Sequence, residues 1–375
     1  MKIIHVITGL DDGGAEAVLY RLCVSDKENT HIVVSLQDEG KYGKMLADSG
    51  IIVHCLNIPK GTITFKGFSY LLHILRECQP DVVQTWMYHA DLIGGVVSRF
   101  GGIRNIVWGL HHTTLELGST KMTTMLVVGF NALLSRWIPS RIVSCSNQGV
   151  LFHKRIGYPE SKFRVVYNGH NLSEFTIDPE KGVSVRKVLD IPVDVPLLGM
   201  IARYDPQKDH RNLLQSILFL KEKKVKFKCL LIGAGMTEEN VELYSLIEQG
   251  DLNEHVMLLG PRNDIPAIMN ALDLHILSSY GEALPNVLCE AMACGTPCVT
   301  TDVGDSKIIV DQTGWVVPPK NPESLAQAIV SGLKEKQRHP YKWQQRSAAA
   351  RNRILEHFNM TKMIHEYMAV WSESV

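Results

Sequence analysis

The amino-acid sequence predicts an α/β protein made of two doubly wound αβα domains in tandem. Short apolar strands alternate with helical patterns along the chain, as in parallel sheets covered by helices. The chain has 375 residues, more than one hydrophobic core usually serves, which favours two domains. A polar stretch with three prolines interrupts the alternation at residues 176–196, and we predict the interdomain linker there.

The first predicted domain covers residues 1–178. Its helices are predicted at AEAVLYRLC after Gly13 and Gly14, at residues 66–78 and at residues 90–100. Its strands are predicted at KIIHVIT, HIVVSL, IIVHCL, DVVQTW, NIVWGL, RIVSCS and FRVVYN.

The second predicted domain covers residues 196–358. Strands and helices alternate again from LLGMIA onward, and a last helical stretch begins near residue 341. The segments between are NLLQSILFLKEK, FKCLLIGAG, VMLLG, IPAIMNAL, LHILSS, PNVLCEAMAC and PCVTT.

Composition argues against several classes of protein. Lys plus Arg (39) equals Asp plus Glu (39), and no basic stripe of the kind that binds nucleic acid is visible. The N-terminal MKIIHVITGL lacks a small-residue cleavage site and is better read as a buried strand than as a secretion signal. Eight scattered cysteines without CxxC spacing favour thiols in a reducing, cytoplasmic setting over a metal site.

One uncharged segment, MTTMLVVGFNALLS at residues 122–135, allows two interpretations. Its apolar residues fill most faces of a helix, which favours a buried helix. Alternatively, the segment docks on a membrane surface with Arg136 and Trp137 at the interface.

The stretch SSYGEALPNVLCEAMACG places two glutamates eight positions apart. Pro285 suits the first position of a helix and Gly295 suits its end, so a helix is predicted from Pro285 to Cys294. Glu282 then lies in the loop before the helix and Glu290 on its second turn. The preceding LHILSS is a predicted strand, and ligands bind at the carboxyl ends of strands in open parallel sheets.

This arrangement suits a nucleotide sugar. The N–H groups of Asn286, Val287 and Leu288 at the helix start can bind a phosphate. A carboxylate beside a phosphate is favourable when it accepts hydrogen bonds from a pair of ligand hydroxyls, as on a sugar or a ribose. Two glutamates on the two sides of the phosphates match the layout sugar, diphosphate, ribose.

Two cations follow the strand LLGMIA, in ARYDPQKDH. Arg203 and Lys208 can neutralise the charge that develops on a leaving diphosphate. The chain contains no D-x-D motif to chelate a metal, so we expect metal-independent transfer without a cofactor. Each residue alone could be an ordinary solvated side chain, and the hypothesis depends on their joint placement.

Together these motifs resemble the retaining glycosyltransferases of family 4, whose fold is GT-B. SSYGEALPNVLCEAMACGTPCVTTDVGD is similar to the E-x7-E signature of that family. Five other segments extend the resemblance over nearly the whole chain: GLDDGGAE, VVYNGHNLSEF, IARYDPQKDH, LLGPRNDIPAIMNALDLHILSS and TGWVVPPKNPESLAQAI. The GT-B fold implies two Rossmann-like domains facing a central cleft. It also implies that residues 359–375 form a helix that crosses back to the first domain.

The resemblance implies a role for each matching position. Glu290 would hold the ribose hydroxyls and Glu282 would contact the donor sugar, while Arg203 and Lys208 bind the diphosphate. The implied catalytic residues are Glu282, His112, Arg203 and Lys208. The implied donor-binding residues are Gly13, Gly14, Arg203, Lys208, Arg262, Ile265, Glu282, Ala283, Leu284, Pro285, Asn286, Val287 and Glu290.

Two segments of the first domain are candidates for contact with the sugars. In GLHHTTL the resemblance implies a histidine facing the donor sugar, with His112 preferred and His111 second. Trp86, Tyr88 and His89, in WMYHAD, are expected at another strand end and could meet the acceptor, as could His111. The chain departs from the family after TDVGD, where Ile308 stands in place of a common glutamate.

The resemblance implies transfer of a sugar, with retention, from a nucleoside diphosphate to a hydroxyl of a saccharide. A UDP-sugar is favoured and a GDP-sugar is the second choice. The implied acceptor is a lipid-linked intermediate of bacterial surface polysaccharide synthesis, which suits a cytoplasmic enzyme peripheral to the inner face of the plasma membrane.

Three alternatives stay open at this point. One is a sugar-nucleotide epimerase of the same fold, and another is a non-catalytic nucleotide-sugar sensor. The third is a nicotinamide-dependent dehydrogenase, suggested by G-x3-G-G after the first strand and by Asp38, but it leaves Glu282 and Glu290 without a role.

Overall fold

The chain folds into two compact units, each built on one parallel sheet. The computed structural model describes residues 1–59, 62, 64–111 and 122–373. The first unit comprises Met1–Gly169 with Met360–Val375, and the second comprises His170–Asn359. Each sheet is entirely parallel and carries helices between its strands, which confirms the predicted fold class.

The first unit contains a seven-stranded sheet of order β3-β2-β1-β4-β5-β6-β7 within the described residues. Its strands are β1 Lys2–Ile7, β2 Thr30–Ser35, β3 Ile52–Cys55, β4 Val82–Trp86, β5 Ile106–Leu110, β6 Arg141–Ser144 and β7 Phe163–Val165. Its helices before the crossing are α1 Gly14–Ser25, α2 Gly40–Asp48, α3 Phe65–Cys78, α4 Tyr88–Phe100, α5 Met122–Leu134 and α6 Asn147–Arg155. The order of strands reverses between β1 and β4, where ligand sites of open α/β sheets occur.

The second unit contains a six-stranded sheet of order β10-β9-β8-β11-β12-β13. Its strands are β8 Leu197–Ile201, β9 Lys228–Ile232, β10 Val256–Leu258, β11 Leu274–Leu277, β12 Cys298–Thr301 and β13 Trp315–Val317. Its helices are α7 Pro179–Val188, α8 His210–Glu222, α9 Val241–Gln249, α10 Ile265–Ala271, α11 Asn286–Ala293, α12 Ser306–Val310, α13 Pro322–Arg338 and α14 Pro340–His357. The order reverses between β8 and β11, which pair directly.

The last helix, α15 Met360–Ser372, belongs to the first unit. Met363, Tyr367, Val370 and Trp371 lie on one face of it and are buried in the core that covers β1 and β4. These apolar residues recur every three or four positions, so one stripe of the helix can be buried. The predicted return of the C-terminal helix to the first domain is confirmed.

The predicted linker at residues 176–196 is wrong, because this segment contains α7. Asp178 caps the helix by accepting a hydrogen bond from the N–H of Lys181 at 3.1 Å. Arg186 is buried and donates to the carbonyl of Ala271 at 2.9 Å and to Asp273 Oδ2 at 3.0 Å. These bonds tie the polar segment to the second unit, and the chain changes units between residues 169 and 170 instead.

Helix α5 is only partly buried. The side chains of Val128, Asn131 and Ala132 on one side of the helix are buried, while those of Leu126 and Phe130 are exposed. The interpretation as a buried helix therefore fits only one side of α5. Among the helices of the described residues, none has the length and apolar character required to cross a bilayer.

Candidate functional site

The carboxyl ends of β8 and β11 bring the two predicted donor motifs together. β8 runs into the loop that carries Arg203 and Lys208, and β11 runs into the loop that carries Glu282. The Lys208 Nζ donates a hydrogen bond to Glu282 Oε1 at 2.6 Å, across 74 positions of sequence. The structure thus joins the predicted cation and the predicted carboxylate in one ion pair.

This ion pair is largely shielded from solvent. The Lys208 side chain is 21% exposed and that of Glu282 is 11% exposed. The Ser279 hydroxyl donates to the same Glu282 oxygen at 2.7 Å. Charges that are partly removed from water attract each other more strongly than surface charges do, so this pair is stronger than an ordinary surface ion pair.

The two loops are also joined through their backbones. The N–H of Tyr280 donates to the carbonyl of Gln207 at 2.9 Å. The Ser278 hydroxyl lies within reach of the carbonyls of Lys208, at 2.9 Å, and Asp209, at 3.0 Å. Backbone atoms therefore set the position of Lys208 relative to the glutamate loop.

A glycine from a third loop supports the chain at Glu282. Gly304 has φ +53°, and a Cβ there would lie 2.4 Å from the carbonyl oxygen of Ala283 and 2.5 Å from that of Glu282. The N–H of Asp305 donates to the Ala283 carbonyl at 3.0 Å. Only glycine combines this backbone conformation with so close an approach.

Helix α11 follows the prediction closely. Pro285 immediately precedes it, and Gly295 follows it with φ +76°. Glu290 is half-buried on the second turn. The N–H of Leu288 donates to the carbonyl of Pro285 at 3.1 Å, so the expectation that this amide serves a phosphate is wrong.

The other predicted donor residues around α11 form its entry. Leu284 and Pro285 are buried and anchor the loop in the core, whereas Ala283, Asn286 and Val287 are half-buried. Ile308, which replaces the family glutamate, lies on α12 and is 38% exposed.

Arg203 is the most exposed of the candidate cations. Its side chain is 65% exposed, and its Nε and Nη2 both lie 3.1 Å from Asp205 Oδ2. Burial raises the pKa of Asp205, but the N–H of Gln207 and the Arg203 guanidinium outweigh it, and the pKa lies below its ordinary value. Arg203 is therefore a charged side chain that is held at one end and accessible to a ligand.

The loops after β8, β9 and β10 share one edge of the sheet. The N–H of Tyr204 donates to the Ala234 carbonyl at 2.7 Å, and that of Gly233 donates to the Gly260 carbonyl at 2.9 Å. Arg262, in the loop after β10, makes two bonds to Asp264 at 2.8 and 2.6 Å. Half-buried Ile265 begins α10 directly behind this pair. The predicted donor residues of this unit thus lie in the segments that follow β8, β10 and β11, either in the strand-end loops or at the starts of α10 and α11.

Sequence reasoning missed several residues that shape the site. Ser279 binds Glu282, and Gly304 allows the approach described above. The Lys320 Nζ lies 4.3 Å from the centre of the Tyr280 ring, which places a further cation beside the loop. Lys320 belongs to the family-like segment TGWVVPPKNPESLAQAI, so its position in a motif was the available signal.

Gly13 and Gly14 stand at the start of α1, as predicted. A Cβ on Gly13 would come within 2.3 Å of Glu16 Oε2, while one on Gly14 would meet no described atom within 4 Å. Burial raises the pKa of Glu16, and Asp11 and Asp12 add to the rise. Glu16 therefore lies beside Gly13, where a phosphate contact was predicted, and the sequence analysis did not anticipate an acidic side chain at this place.

The structure corrects two of the acceptor candidates. Trp86 is fully buried, and Tyr88 is 3% exposed with its hydroxyl 2.9 Å from His153 Nε2. Neither side chain can touch an acceptor directly, because apolar rings at this strand end fill the core. His89 is half-buried and its pKa is lowered by burial.

The two histidines after β5 have different outcomes. The ring of His111 stacks on the Trp86 indole, with centres 5.1 Å apart and an angle of 14° between the planes. His112 lies outside the described residues, so its predicted role remains a prediction.

Two family models match most of the chain. One, described as Glycosyltransferase Family 4, matches residues 12–174. The other, described as Glycosyl transferases group 1, matches residues 195–335. The first match covers most of the first unit and extends a few residues into the second. The second match lies entirely in the second unit.

Characterised relatives match along most of their own length. The chain is 23% identical over 321 residues to the Escherichia coli UDP-Gal:alpha-D-GlcNAc-diphosphoundecaprenol alpha-1,3-galactosyltransferase, covering 83% of this chain and 80% of the relative. It is 26% identical over 310 residues to the Campylobacter jejuni N,N'-diacetylbacillosaminyl-diphospho-undecaprenol alpha-1,3-N-acetylgalactosaminyltransferase, covering 78% and 79%.

Solved structures match over the full chain. Anabaena HepE in complex with UDP superposes with a TM-score of 0.86 at 22% identity, covering all of both chains. The same protein in complex with UDP-glucose gives a TM-score of 0.85, again over all of both chains. At this identity the likeness shows a shared fold.

Proposed function

The chain belongs to the glycosyltransferases of family 4 with the GT-B fold, and we propose that it transfers a sugar with retention from a UDP-sugar to a lipid-linked saccharide. The observation that carries the donor assignment is the bond between Lys208 and Glu282 at the carboxyl end of a parallel sheet. HepE, which shares the fold, was crystallised with UDP and with UDP-glucose, and this supports uridine over guanosine.

In the proposed donor complex, the cations of the second unit hold the diphosphate. Lys208 turns from Glu282 toward the phosphates, and Arg203 adds a second charge from the same loop. Glu282, released from Lys208, accepts hydrogen bonds from hydroxyls of the donor sugar. Glu290 does the same for the ribose, since a carboxylate suits two adjacent hydroxyls.

The proposed reaction needs little from the protein beyond position and charge. The acceptor hydroxyl oxygen attacks the anomeric carbon, and the bond from that carbon to the diphosphate oxygen breaks with its electron pair. The hydroxyl proton passes to a diphosphate oxygen on the same face. Arg203 and Lys208 stabilise the charge as it develops, so we propose that no metal is required.

The acceptor is proposed from the relatives. Both curated enzymes act, by their names, on sugars linked to diphosphoundecaprenol. Among the first-unit candidates, His89 and His111 are the described residues whose side chains are not fully buried at the strand ends. We assign acceptor contact to this edge of the first sheet.

A lipid-linked acceptor also requires contact with a bilayer, and α5 offers a surface for it. The outer side of α5 and of the turn that follows it, which we call the α5 face, carries large apolar side chains at intervals of three or four residues. They are Met122 at 76%, Leu126 at 62%, Phe130 at 58%, Leu133 at 57% and Trp137 at 64% exposed. A row of five large apolar side chains, each more than half exposed, is typical of a docking surface.

Hydrogen bonds to backbone carbonyls anchor the chain at the end of the α5 face. The Lys162 Nζ donates to the carbonyls of Arg136 at 2.8 Å and Pro139 at 2.7 Å. Arg99 donates to the carbonyl of Trp137 at 2.9 Å. Exposed Arg136 adds a positive charge beside Trp137, and we propose an anionic lipid surface as the occupant.

The first experiment identifies the donor and the reaction. Melting curves with UDP-, GDP- and ADP-sugars and with nicotinamide dinucleotides should show stabilisation by a UDP-sugar. With a diphosphoundecaprenol-linked saccharide added, NMR of the product should show the donor's anomeric configuration retained. Conversion of the free donor to an epimer would identify an epimerase, and binding without nucleotide release would identify a sensor. Stabilisation by a nicotinamide dinucleotide alone would identify a dehydrogenase.

Flotation with liposomes tests the α5 face. We expect the protein to float with vesicles containing phosphatidylglycerol and the double variant Leu126→Ser, Phe130→Ser to remain below. Leu355→Ser, at a 40% exposed leucine of α14, is the matched control and should float like the wild type. Equal flotation of all three proteins, or none, would contradict this docking surface.

A further inference from the structure

A chain of hydrogen bonds runs through the core of the first unit and ends on Trp86. The indole Nε1 donates to His5 Nδ1 at 3.1 Å, and His5 Nε2 lies 2.9 Å from His31 Nδ1. His31 Nε2 lies 3.1 Å from Asp26 Oδ2. His5 and Trp86 are fully buried, and His31 and Asp26 are about 4% exposed. This chain connects β1, β2 and β4 with the end of α1.

The chemistry of the two ends fixes the direction of every bond. An indole N–H can only donate, so His5 Nδ1 must accept and its proton must lie on Nε2. His5 then donates to His31 Nδ1, and His31 donates from Nε2 to the carboxylate of Asp26. Asp26 also accepts from the N–H of Glu28 at 3.0 Å and from Asn29 at 2.8 Å, as an ionised carboxylate does. Both histidines are neutral, each in one tautomer.

The same direction argues against a metal at this place. His5, Cys23 and His31 are buried, and their potential ligand atoms lie within 4.8 Å of one another. A metal between the rings would need the lone pair of His5 Nε2. The Trp86 N–H requires that nitrogen to carry the proton, because otherwise two donors would face each other at His5 Nδ1.

Two rings pack against the Trp86 indole, and a third packs against His5. Tyr367 of α15 lies 6.0 Å from it, and Trp371 lies 6.1 Å from His5. On the side of the strand end, His111 stacks in near-parallel contact at 5.1 Å. The indole is therefore the link between a fixed hydrogen-bond chain and a histidine at the carboxyl end of the sheet.

The residue after Trp86 carries backbone strain. Met87 has φ +71° and ψ 159°, a region that residues other than glycine rarely adopt. Its N–H donates to the carbonyl of Gly109 at 2.8 Å, which joins the ends of β4 and β5. Such strain persists only where the surroundings over-determine the conformation, and it clusters at functional sites.

We propose that Asp26, His31, His5 and Trp86 form a positioning unit, which holds His111 and the start of α4 at Met87–His89 in the orientation that transfer requires. This inference rests on the proposed function, because it assigns His111 to the edge where the acceptor binds. The four residues act through Trp86 and touch no substrate.

A double-mutant cycle tests whether His5 acts through the indole. His5→Leu keeps an apolar side chain of similar size but breaks the chain, and kcat should fall on the order of tenfold with the KM for the donor unchanged. His5→Gln, whose amide can accept from Trp86 and donate to His31, should restore most of kcat. Trp86→Phe keeps a ring against His111 but removes the N–H, and kcat should fall to a similar degree. The double variant His5→Leu, Trp86→Phe should be no slower than Trp86→Phe.

Several outcomes overturn the proposal. Additive losses in the double variant would show that His5 affects kcat independently of Trp86. A failure of His5→Gln to restore kcat would show that the hydrogen bonds of His5 do not set kcat. A wild-type kcat in His5→Leu would have the same meaning. His275→Leu removes a buried strand histidine of the second unit and should leave kcat unchanged.

A second readout keeps this proposal separate from the proposed function. With ¹⁵N-labelled histidine, His5 and His31 should both appear as neutral Nε2–H tautomers. Addition of Zn²⁺ should not shift either signal. If the wild type transfers no sugar from any donor, the proposed function fails. If the tautomers differ from those given above, the positioning unit fails whatever the activity.

Discussion

The two units place different chemistry at the same edge of similar parallel sheets. In the second unit the strand ends carry charged side chains with partial access to solvent, foremost Lys208 and Glu282. In the first unit the strand ends carry stacked aromatic rings, foremost Trp86 and His111, and the strained residue Met87. The edge of the second sheet carries charged groups that can change partners, whereas the edge of the first sheet carries aromatic rings held by packing.

This difference matches the two substrates of the proposed reaction. A diphosphate is bound by cations, and a lysine that is paired with a carboxylate in the free protein, as Lys208 is with Glu282, can re-pair with a phosphate when the donor binds. A neutral hydroxyl acceptor offers little charge to bind, so its alignment must come from groups that are already held in place. The two units thus share one fold, while their strand-end side chains suit different substrates: the diphosphate in the second unit and the acceptor in the first.

The largest expected effect is on the charged edge. Lys208→Ala should lower kcat on the order of 10²-fold or more, because the departing diphosphate loses one of two cations. Steady-state nucleotide release measures this. Lys226→Ala is the matched control, since Lys226 pairs with Asp194 at 2.9 Å and both side chains are well exposed. A similar loss in both variants, or in neither, would remove Lys208 from the mechanism.

Glu290→Gln sharpens the comparison by addressing binding rather than turnover. Loss of the carboxylate should raise the Kd for the UDP-sugar on the order of tenfold, as a charge-assisted pair of hydrogen bonds becomes a neutral one. Isothermal titration calorimetry measures it. Glu248→Gln, on the exposed side of α9, should bind as the wild type does. An unchanged Kd in Glu290→Gln would contradict the ribose assignment.

Gly304→Ala tests the backbone support of Glu282. The new Cβ would meet two carbonyl oxygens at 2.4 and 2.5 Å, so the loop must shift and donor affinity should fall severalfold. Gly50→Ala is the control, because Gly50 has φ +83° but a Cβ there meets no described atom within 4 Å. It should lose only about 1 kcal/mol of stability, from the left-handed backbone conformation. Equal effects on the two variants would mean that the close approach at Gly304 does not matter.

The smallest expected effect concerns stability and pH. Burial lowers the pKa of His275 from 6.5 to about 3, and within the described residues neither ring nitrogen has a hydrogen-bond partner. Because the unfolded chain binds the proton first, this histidine contributes a loss of stability of up to about 1.4 kcal/mol per pH unit as pH falls below 6.5. His275→Leu should be more stable at pH 7, and its Tm should fall less between pH 7 and pH 5. A steeper fall in the variant would contradict the buried neutral histidine.

Much of the fold follows from local patterns. The seven predicted strands of the first unit and the helix after Pro285 are found, because continuous apolar runs and proline and glycine signals act over a few residues. Helix α7 was missed although Asp178 caps it locally, and the bonds that hold it on the second unit join Arg186 to Ala271 and Asp273, which are distant in sequence. Helix α13 was not separately predicted, although its cap is local: Asn321 accepts from the N–H of Ser324 at 2.9 Å.

The candidate site was predictable in its list of residues but not in its contacts. The motif E-x7-E and the resemblance to family 4 pointed to Glu282, Glu290, Arg203 and Lys208. Trp86 and Tyr88 were misassigned, because aromatic residues at a strand end serve equally for a core and for a binding surface. Burial decides between the two, and burial depends on which helices cover the strand.

By itself the sequence determined the parallel sheets, the helix behind Glu282 and the chemistry available at the donor edge. These features depend on apolar periodicity, proline and glycine geometry and the charges of single residues, all of which are local. Only the tertiary structure decided that Lys208 pairs with Glu282, that Gly304 supports their loop and that a carboxylate at Asp26 fixes the indole of Trp86. Each of these arrangements depends on residues from different strands or strand-end loops, and their distances and hydrogen-bond directions exist only once the sheet has formed.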